Sequence, residues 1–112
     1  MNNNHVEALL LESIKRDIET VLSSYVYEPN DTITRNSVCS EIEGCLQTYA
    51  LDDYTVVCDE SNNQPETVDR GLLRVEVAVL FINSANGFYY IPIEMRGEDF
   101  EEQININVSF VE

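Results

Sequence analysis

"DYTVVCDESNNQPETVDRGLLRVEVAVLF", residues 53–81, decides the fold. Apolar side chains alternate at both ends of it. Tyr54, Val56 and Cys58 are interleaved with Thr55, Val57 and Asp59, while Leu73, Val75, Val77, Val79 and Phe81 are interleaved with Leu72, Arg74, Glu76, Ala78 and Leu80. A period of two puts each set on one face of a strand. Between the two strands lies a polar connector with adjacent asparagines at 62 and 63, Pro65, and the acids Asp59, Glu60, Glu66 and Asp69. Two residues suffice to turn an antiparallel pair. So long a connector is therefore either a catalytic or metal-binding loop or a surface gripped by other chains.

Upstream the period changes. Val6, Leu10, Ile14, Ile18 and Leu22 recur every four residues, with Leu9, Leu11 and Val21 widening the stripe, which predicts an amphipathic helix. Pro29 disfavours helix at Glu28, and Asn30-Asp31-Thr32 supplies capping oxygens for a second helix over about 33–49. Val38, Ile42, Cys45, Leu46 and Tyr49 anchor that helix, and Gly44 within it is expected to mark a close approach to a neighbouring backbone. Downstream, "NSANG" holds the favoured hairpin pair Asn86-Gly87, and Tyr89, Ile91, Ile93 and Met95 share a face of the next strand. Pro92 in that strand lacks an N–H, which implies an edge or a bulge. In "QININVSFV" the residues Ile104, Ile106, Val108 and Phe110 alternate with Asn105, Asn107 and Ser109. Such a strand pairs at home or with a neighbour's sheet edge, because backbone ladders do not distinguish chains. The expected fold is α+β: two amphipathic helices packed on a small mixed or antiparallel sheet. A body over 1–102 carries a C-terminal strand or arm over 103–112, possibly exchanged between subunits.

The chain has 112 residues, enough for one domain, and 44% of them are hydrophobic. A net charge of −15 argues against nucleic-acid phosphates as partners. It fits both a solubilising surface and docking against a basic protein. No apolar run approaches a bilayer span, and "MNNNHVEALL" lacks the features of a signal peptide, which predicts synthesis in the cytosol and no membrane association. Cys39, Cys45 and Cys58 are odd in number and lack C-x-x-C spacing, so free thiols are expected. His5, the single histidine, lies in a polar N-terminal stretch expected to be mobile, a poor place for a general base. Zinc ligands at workable spacing are absent. The acidic pairs Asp52/Asp53, Asp59/Glu60 and Glu98/Asp99 do not fit a calcium-loop register. Tyr25, Tyr27 and Tyr49 read as aromatics at the rim of the core. No enzyme, cofactor or metal is predicted.

With these residues laid out, the chain resembles the C-terminal domain of contractile-tail sheath proteins of bacteriophages. "SSYVYEPNDTITR" is similar to that family's segment preceding its second helix. The run Cys58-Asp59-Glu60-Ser61-Asn62-Asn63, followed by Pro65, Glu66 and Asp69, is similar to its connector, and "RGEDFEE" to its ending. The resemblance implies a structural virion protein of a contractile phage tail, made in the host bacterial cytoplasm. It implies partners among copies of itself and other sheath, tube, baseplate or neck proteins. Subunits of that family are joined by arms that add strands to neighbouring sheets, with Ile104, Ile106, Val108 and Phe110 here as the donated strand. The connector then reads as a surface turn in which Asn62 and Asn63 suit positive φ. Sheath proteins usually have several hundred residues and an N-terminal arm, so a stand-alone sheath-like subunit is expected, one that starts, ends or decorates a sheath at baseplate or neck, with a cleaved or truncated sheath subunit as the close alternative. The competing reading is an acidic intracellular binding module or inhibitor of a basic partner.

Overall fold

The computed structural model describes residues 3–97 and 103–111. The order of elements is α1 (Asn3–Ser23), α2 (Thr32–Leu46), β1 (Leu51–Val57), α3 (Pro65–Asp69), β2 (Leu72–Phe81), β3 (Phe88–Arg96), β4 (Ile104–Ile106) and β5 (Ser109–Val111). The fold is α+β, and every strand pairing is antiparallel. Across the sheet the order is β1, β2, β3, with β4 and β5 both beside β3.

The alternation seen in the sequence sets the layers. Leu73, Val75, Val77, Val79 and Phe81 of β2 and Tyr89, Ile91, Ile93 and Met95 of β3 form one buried face. Leu11, Ile14, Ile18 and Leu22 of α1 and Val38, Ile42 and Leu46 of α2 close over it in a single core. Each fully buried aliphatic side chain among these contributes roughly 1.5–3 kcal/mol. Phe81 and Tyr89 meet edge to face at 5.7 Å between ring centroids. On the other face Arg74 is exposed, while Glu76, Ala78, Leu80, Tyr90 and Pro92 are half-buried.

Local chemistry explains the boundaries. Asp31 is the N-cap of α2, its carboxylate accepting the Thr34 N–H at 2.8 Å. The helix stops at Leu46, earlier than its apolar spacing suggests, where the Thr48 hydroxyl takes the Cys45 carbonyl at 2.7 Å. Tyr49 lies beyond the helix but still packs on the core. Its hydroxyl donates to Asp17 at 2.6 Å and accepts from Ser13 at 2.7 Å.

Several expectations are corrected. The buried stripe of α1 starts from Glu7 rather than Val6, and Val6 and Leu9 are exposed. His5 sits in the first turns of α1, exposed, rather than in a mobile stretch. Tyr25 and Tyr49 border the core, whereas Tyr27 is 75% exposed. The β2–β3 connection is not a two-residue Asn-Gly turn: positive φ falls at Asn83 and Gly87, and Asn86 turns its side chain to Glu7. The connector after β1 holds a helical turn, α3, with Pro65 at its start and Thr67 buried. Gly44 approaches nothing, since a Cβ there would meet no atom within 4 Å.

Two glycines therefore respond oppositely to the same change. Gly44→Ala, in open helix interior, raises stability by about 0.5–1 kcal/mol. Gly71→Ala, at φ +71° where α3 gives way to β2, lowers it by about 1–2 kcal/mol. Urea denaturation of the two variants against the parent measures both signs.

Candidate functional site

The central strand β2 outruns its neighbour. β1 pairs with it from Leu51 opposite Phe81 to Val57 opposite Glu76, and there the chain leaves the sheet. The backbone of Arg74 is next in line for a partner on that side. The Asn63 side chain takes the vacant place: its Oδ1 accepts the Arg74 N–H at 2.9 Å and its Nδ2 donates to the Arg74 carbonyl at 2.9 Å. A primary amide carries the same donor and acceptor as a peptide group, so it completes the ladder by one rung. Asn63 is only 4% exposed, and its Nδ2 also reaches the Asp59 carbonyl at 3.1 Å.

Asn30 extends the arrangement. Its Nδ2 donates to Asn63 Oδ1 and to the Leu72 carbonyl, both at 2.9 Å. Its own Oδ1 accepts from the Arg35 guanidinium at 2.7 Å. Arg35 is buried, with further bonds to the Asn30 carbonyl and the Thr32 hydroxyl. Its positive charge helps hold the carboxyls of Asp31 and Asp59 below their usual range, after the larger effect of hydrogen bonds from Thr34 and Ser61 respectively. The "EPNDTITR" and "CDESNNQPE" stretches, thirty residues apart in sequence, thus meet in one hydrogen-bonded hub.

The remaining connector residues serve it. Asn62 donates to the Val57 carbonyl at 2.8 Å and accepts the Asp59 N–H at 3.0 Å. The Asp59 carboxylate takes the N–H and hydroxyl of Ser61. Neither Asn62 nor Asn63 adopts positive φ; side-chain bonds, not backbone freedom, explain both. Cys58 is buried, and burial pushes its thiol up to about 12, which makes it inert as a nucleophile at neutral pH. Glu60, Pro65 and Asp69 are exposed. The connector is not merely a surface turn, because Asn63 and Thr67 are interior. Among the described residues, no three His, Cys, Asp or Glu side chains are gathered as a metal ion requires, and no helix is long and apolar enough to cross a membrane. Glu98 and Asp99 lie outside the described residues, as does most of "RGEDFEE".

The C-terminal strand lies at the other side of the sheet. Ile104, Asn105 and Ile106 face Met95, Glu94 and Ile93, and Ser109, Phe110 and Val111 face Tyr90, Tyr89 and Phe88. The register is the same in both halves, so β4 and β5 are one strand divided opposite Pro92. The Pro92 carbonyl accepts the Asn107 N–H at 3.1 Å, but its ring nitrogen has nothing to return. Ile104, Ile106 and Val108 are half-buried against the core, and Asn105, Asn107 and Ser109 are exposed. The side chain of Phe110 lies outside the described residues.

One buried group escaped the sequence reading. Glu7 accepts hydrogen bonds from the Tyr89 hydroxyl at 2.7 Å, Asn86 at 3.0 Å and Ser84 at 3.1 Å. Burial raises its pKa, but the three donors outweigh that effect and hold the carboxyl below its ordinary value. Its partners are about eighty residues away, and an acid flanked by Val6 and Leu9 gives no local sign of burial.

Compared with known proteins, the chain is 30% identical over 101 residues to the tail sheath protein of Enterobacteria phage T4, and 31% identical over 88 residues to that of Vibrio phage KVP40. The alignments cover 83% and 75% of this chain. This chain is similar, over most of its length, to part of a tail sheath protein. It spans 15% and 13% of the length of those two relatives. No family model matches the chain, and neither does any solved structure.

Two measurements test this geometry. Asn63→Ala leaves both backbone groups of Arg74 without their partner, removes one of the two acceptors of the Asn30 amide and costs about 3 kcal/mol, whereas Asn62→Ala, at a half-buried position, costs about 1 kcal/mol; denaturant midpoints give the comparison. Because the folded pKa of Glu7 lies below its unfolded one, its contribution is complete above the unfolded value of 4.5 and is lost as pH falls through the folded value. Glu7→Gln therefore flattens the acid limb of the stability–pH curve; an unaltered acid limb contradicts the assignment.

Proposed function

We propose that this chain is a structural component of a contractile phage tail, a sheath or sheath-like subunit that assembles through β-strand addition between subunits. The observation that carries the reading is the similarity to two phage tail sheath proteins over most of the chain. In this reading residues 1–102 form the sheath-like body and residues 103–112 the joining strand, with Ile104, Ile106, Val108 and Phe110 as its apolar face. The partners are copies of this chain and other tail proteins, and the protein resides in the virion after synthesis in the host cytoplasm.

The geometry supports the reading in two ways. The motif hub has a structural task, completing the backbone pairing of β2, and its cysteine is held in the unreactive thiol form. The C-terminal strand pairs through backbone bonds and a regular apolar face, features that any chain of the same sequence presents equally.

Removing residues 103–112 tests it. The shortened chain is expected to remain a soluble, helical monomer by circular dichroism and gel filtration while losing all self-association. Oligomerisation equal to that of the parent rejects strand addition. Antibody labelling of native particles in the electron microscope tests the location separately, with label along or at an end of the tail expected and unlabelled tails contradicting it.

A further inference from the structure

Asn86-Gly87 is the one Asn-Gly pair in the chain, and it does not make the two-residue turn that such pairs favour. Its amide holds down the start of α1 instead. Asn86 Nδ2 donates to Glu7 Oε1 at 3.0 Å and to the Tyr89 hydroxyl at 3.1 Å, while Tyr89 and Ser84 donate to the same carboxylate oxygen. From His5 to Leu9 the only buried side chain is that of Glu7, with His5, Val6, Ala8 and Leu9 all exposed. Hydrogen bonds to one carboxylate thus fasten the first two turns of the helix to the β2–β3 connection.

The pair also holds the parts of a spontaneous reaction. The backbone nitrogen that follows an asparagine reaches that side chain's Cγ through a five-membered ring, and attack within one chain needs no encounter. Glycine leaves the attacking nitrogen unhindered, because no Cβ stands beside it. Here Gly87 has φ +72°, and its N–H donates to no described residue. Asn86 and Gly87 are both half-buried, so water reaches them.

We propose that Asn86 is a modification site, converted by water to aspartate or isoaspartate, and that the change unfastens the first two turns of α1. Gly87 N gives its proton to water and bonds to Asn86 Cγ. The Cγ–Nδ2 bond breaks, and Nδ2 takes up a proton and leaves as ammonia. Water then opens the resulting succinimide at either carbonyl. Asparagine and water become an acidic residue and ammonia, with no oxidant, reductant or cofactor.

The product inverts the chemistry of the clasp. Where an amide donated to Glu7, a carboxylate faces a carboxylate across the 3.0 Å now spanned by a hydrogen bond. Two such groups do not both stay charged and in place. Isoaspartate also lengthens the backbone by one carbon at this point. The reaction does not reverse, so the helix start loosens once in the life of each chain.

Incubating the folded chain at mildly alkaline pH tests the site, with products mapped by peptide mass and enzymatic isoaspartate methylation. Conversion at Asn86 is expected to run at least about tenfold faster than at Asn83, which is exposed and precedes a serine. Conversion at Asn86 no faster than at Asn83 overturns the proposal.

Amide hydrogen exchange tests the consequence. The N–H groups of Leu9, Leu10 and Leu11 bond to carbonyls one turn back and so report on the first two turns. In Asn86→Asp they are expected to exchange at least about tenfold faster than in the parent, a larger factor than at Val77 and Ile91. Adding Glu7→Gln supplies an amide donor from the other side of the clasp. The double variant Glu7→Gln/Asn86→Asp is expected to bring these rates back to within about threefold of the parent. A change in the single variant no larger than that at Val77 and Ile91, or exchange in the double variant as fast as in the single, overturns the proposal. Both measurements are independent of the tail assignment.

Discussion

Every backbone N–H and C=O in the middle of a sheet needs a partner, and that requirement organises this molecule. β2 is the central strand, buried on alternate residues from Leu73 to Phe81, with β3 along one side and the shorter β1 along the other. Where β1 ends, the Asn63 amide stands in for a strand, and Asn30 satisfies the Leu72 carbonyl one step further on. The long connector is explained by this task. A two-residue turn would join Val57 directly to the residue opposite it and leave no room for the part of β2 that extends beyond β1.

The same requirement is met differently on the outer side of β3. There the pairing comes from a strand at the end of the chain, and Pro92 removes one donor from its middle. Half-burial of Ile104, Ile106 and Val108 contributes about 1 kcal/mol each, and each ladder bond about 1 kcal/mol net. The entropy of ordering residues 103–111, roughly 1–2 kcal/mol per residue, offsets most of this, so undocking costs at most a few kcal/mol, against roughly 5–15 kcal/mol for unfolding a domain of this kind. One flank of the β2–β3 pair is closed by β1 together with the Asn63 and Asn30 side chains, and the other by the C-terminal strand.

What the sequence disclosed follows the range of each interaction. Alternation from Leu73 to Phe81, at Tyr89–Met95 and at Ile104–Val108 is a property of the local chain, and it predicted the faces that the core uses. Pro29 and the Asn30-Asp31-Thr32 cap likewise fixed the start of α2, since the N-cap bond spans three residues. The misreadings arise where distant residues decide. Glu7 is interior because Ser84, Asn86 and Tyr89 meet it there, and the phase of α1 shifts accordingly, leaving Val6 and Leu9 exposed. Asn62 and Asn63 look like turn formers, yet their side chains bond to the backbones of β1, β2 and Asp59. Even so, the motif residues quoted from the sequence include Asn30, Arg35 and Asn63, the three side chains that meet in the hub.

The account requires that the C-terminal strand leave β3 while the rest of the fold stays intact. Native-state amide hydrogen exchange on the isolated chain measures this most directly. The amides of Asn105, Asn107 and Ser109 are predicted to exchange at least a hundredfold faster than those of Val77 and Ile91 in the centre of the sheet, through an opening insensitive to core destabilisation. Exchange of all five amides at one rate, through a single global unfolding event, contradicts it.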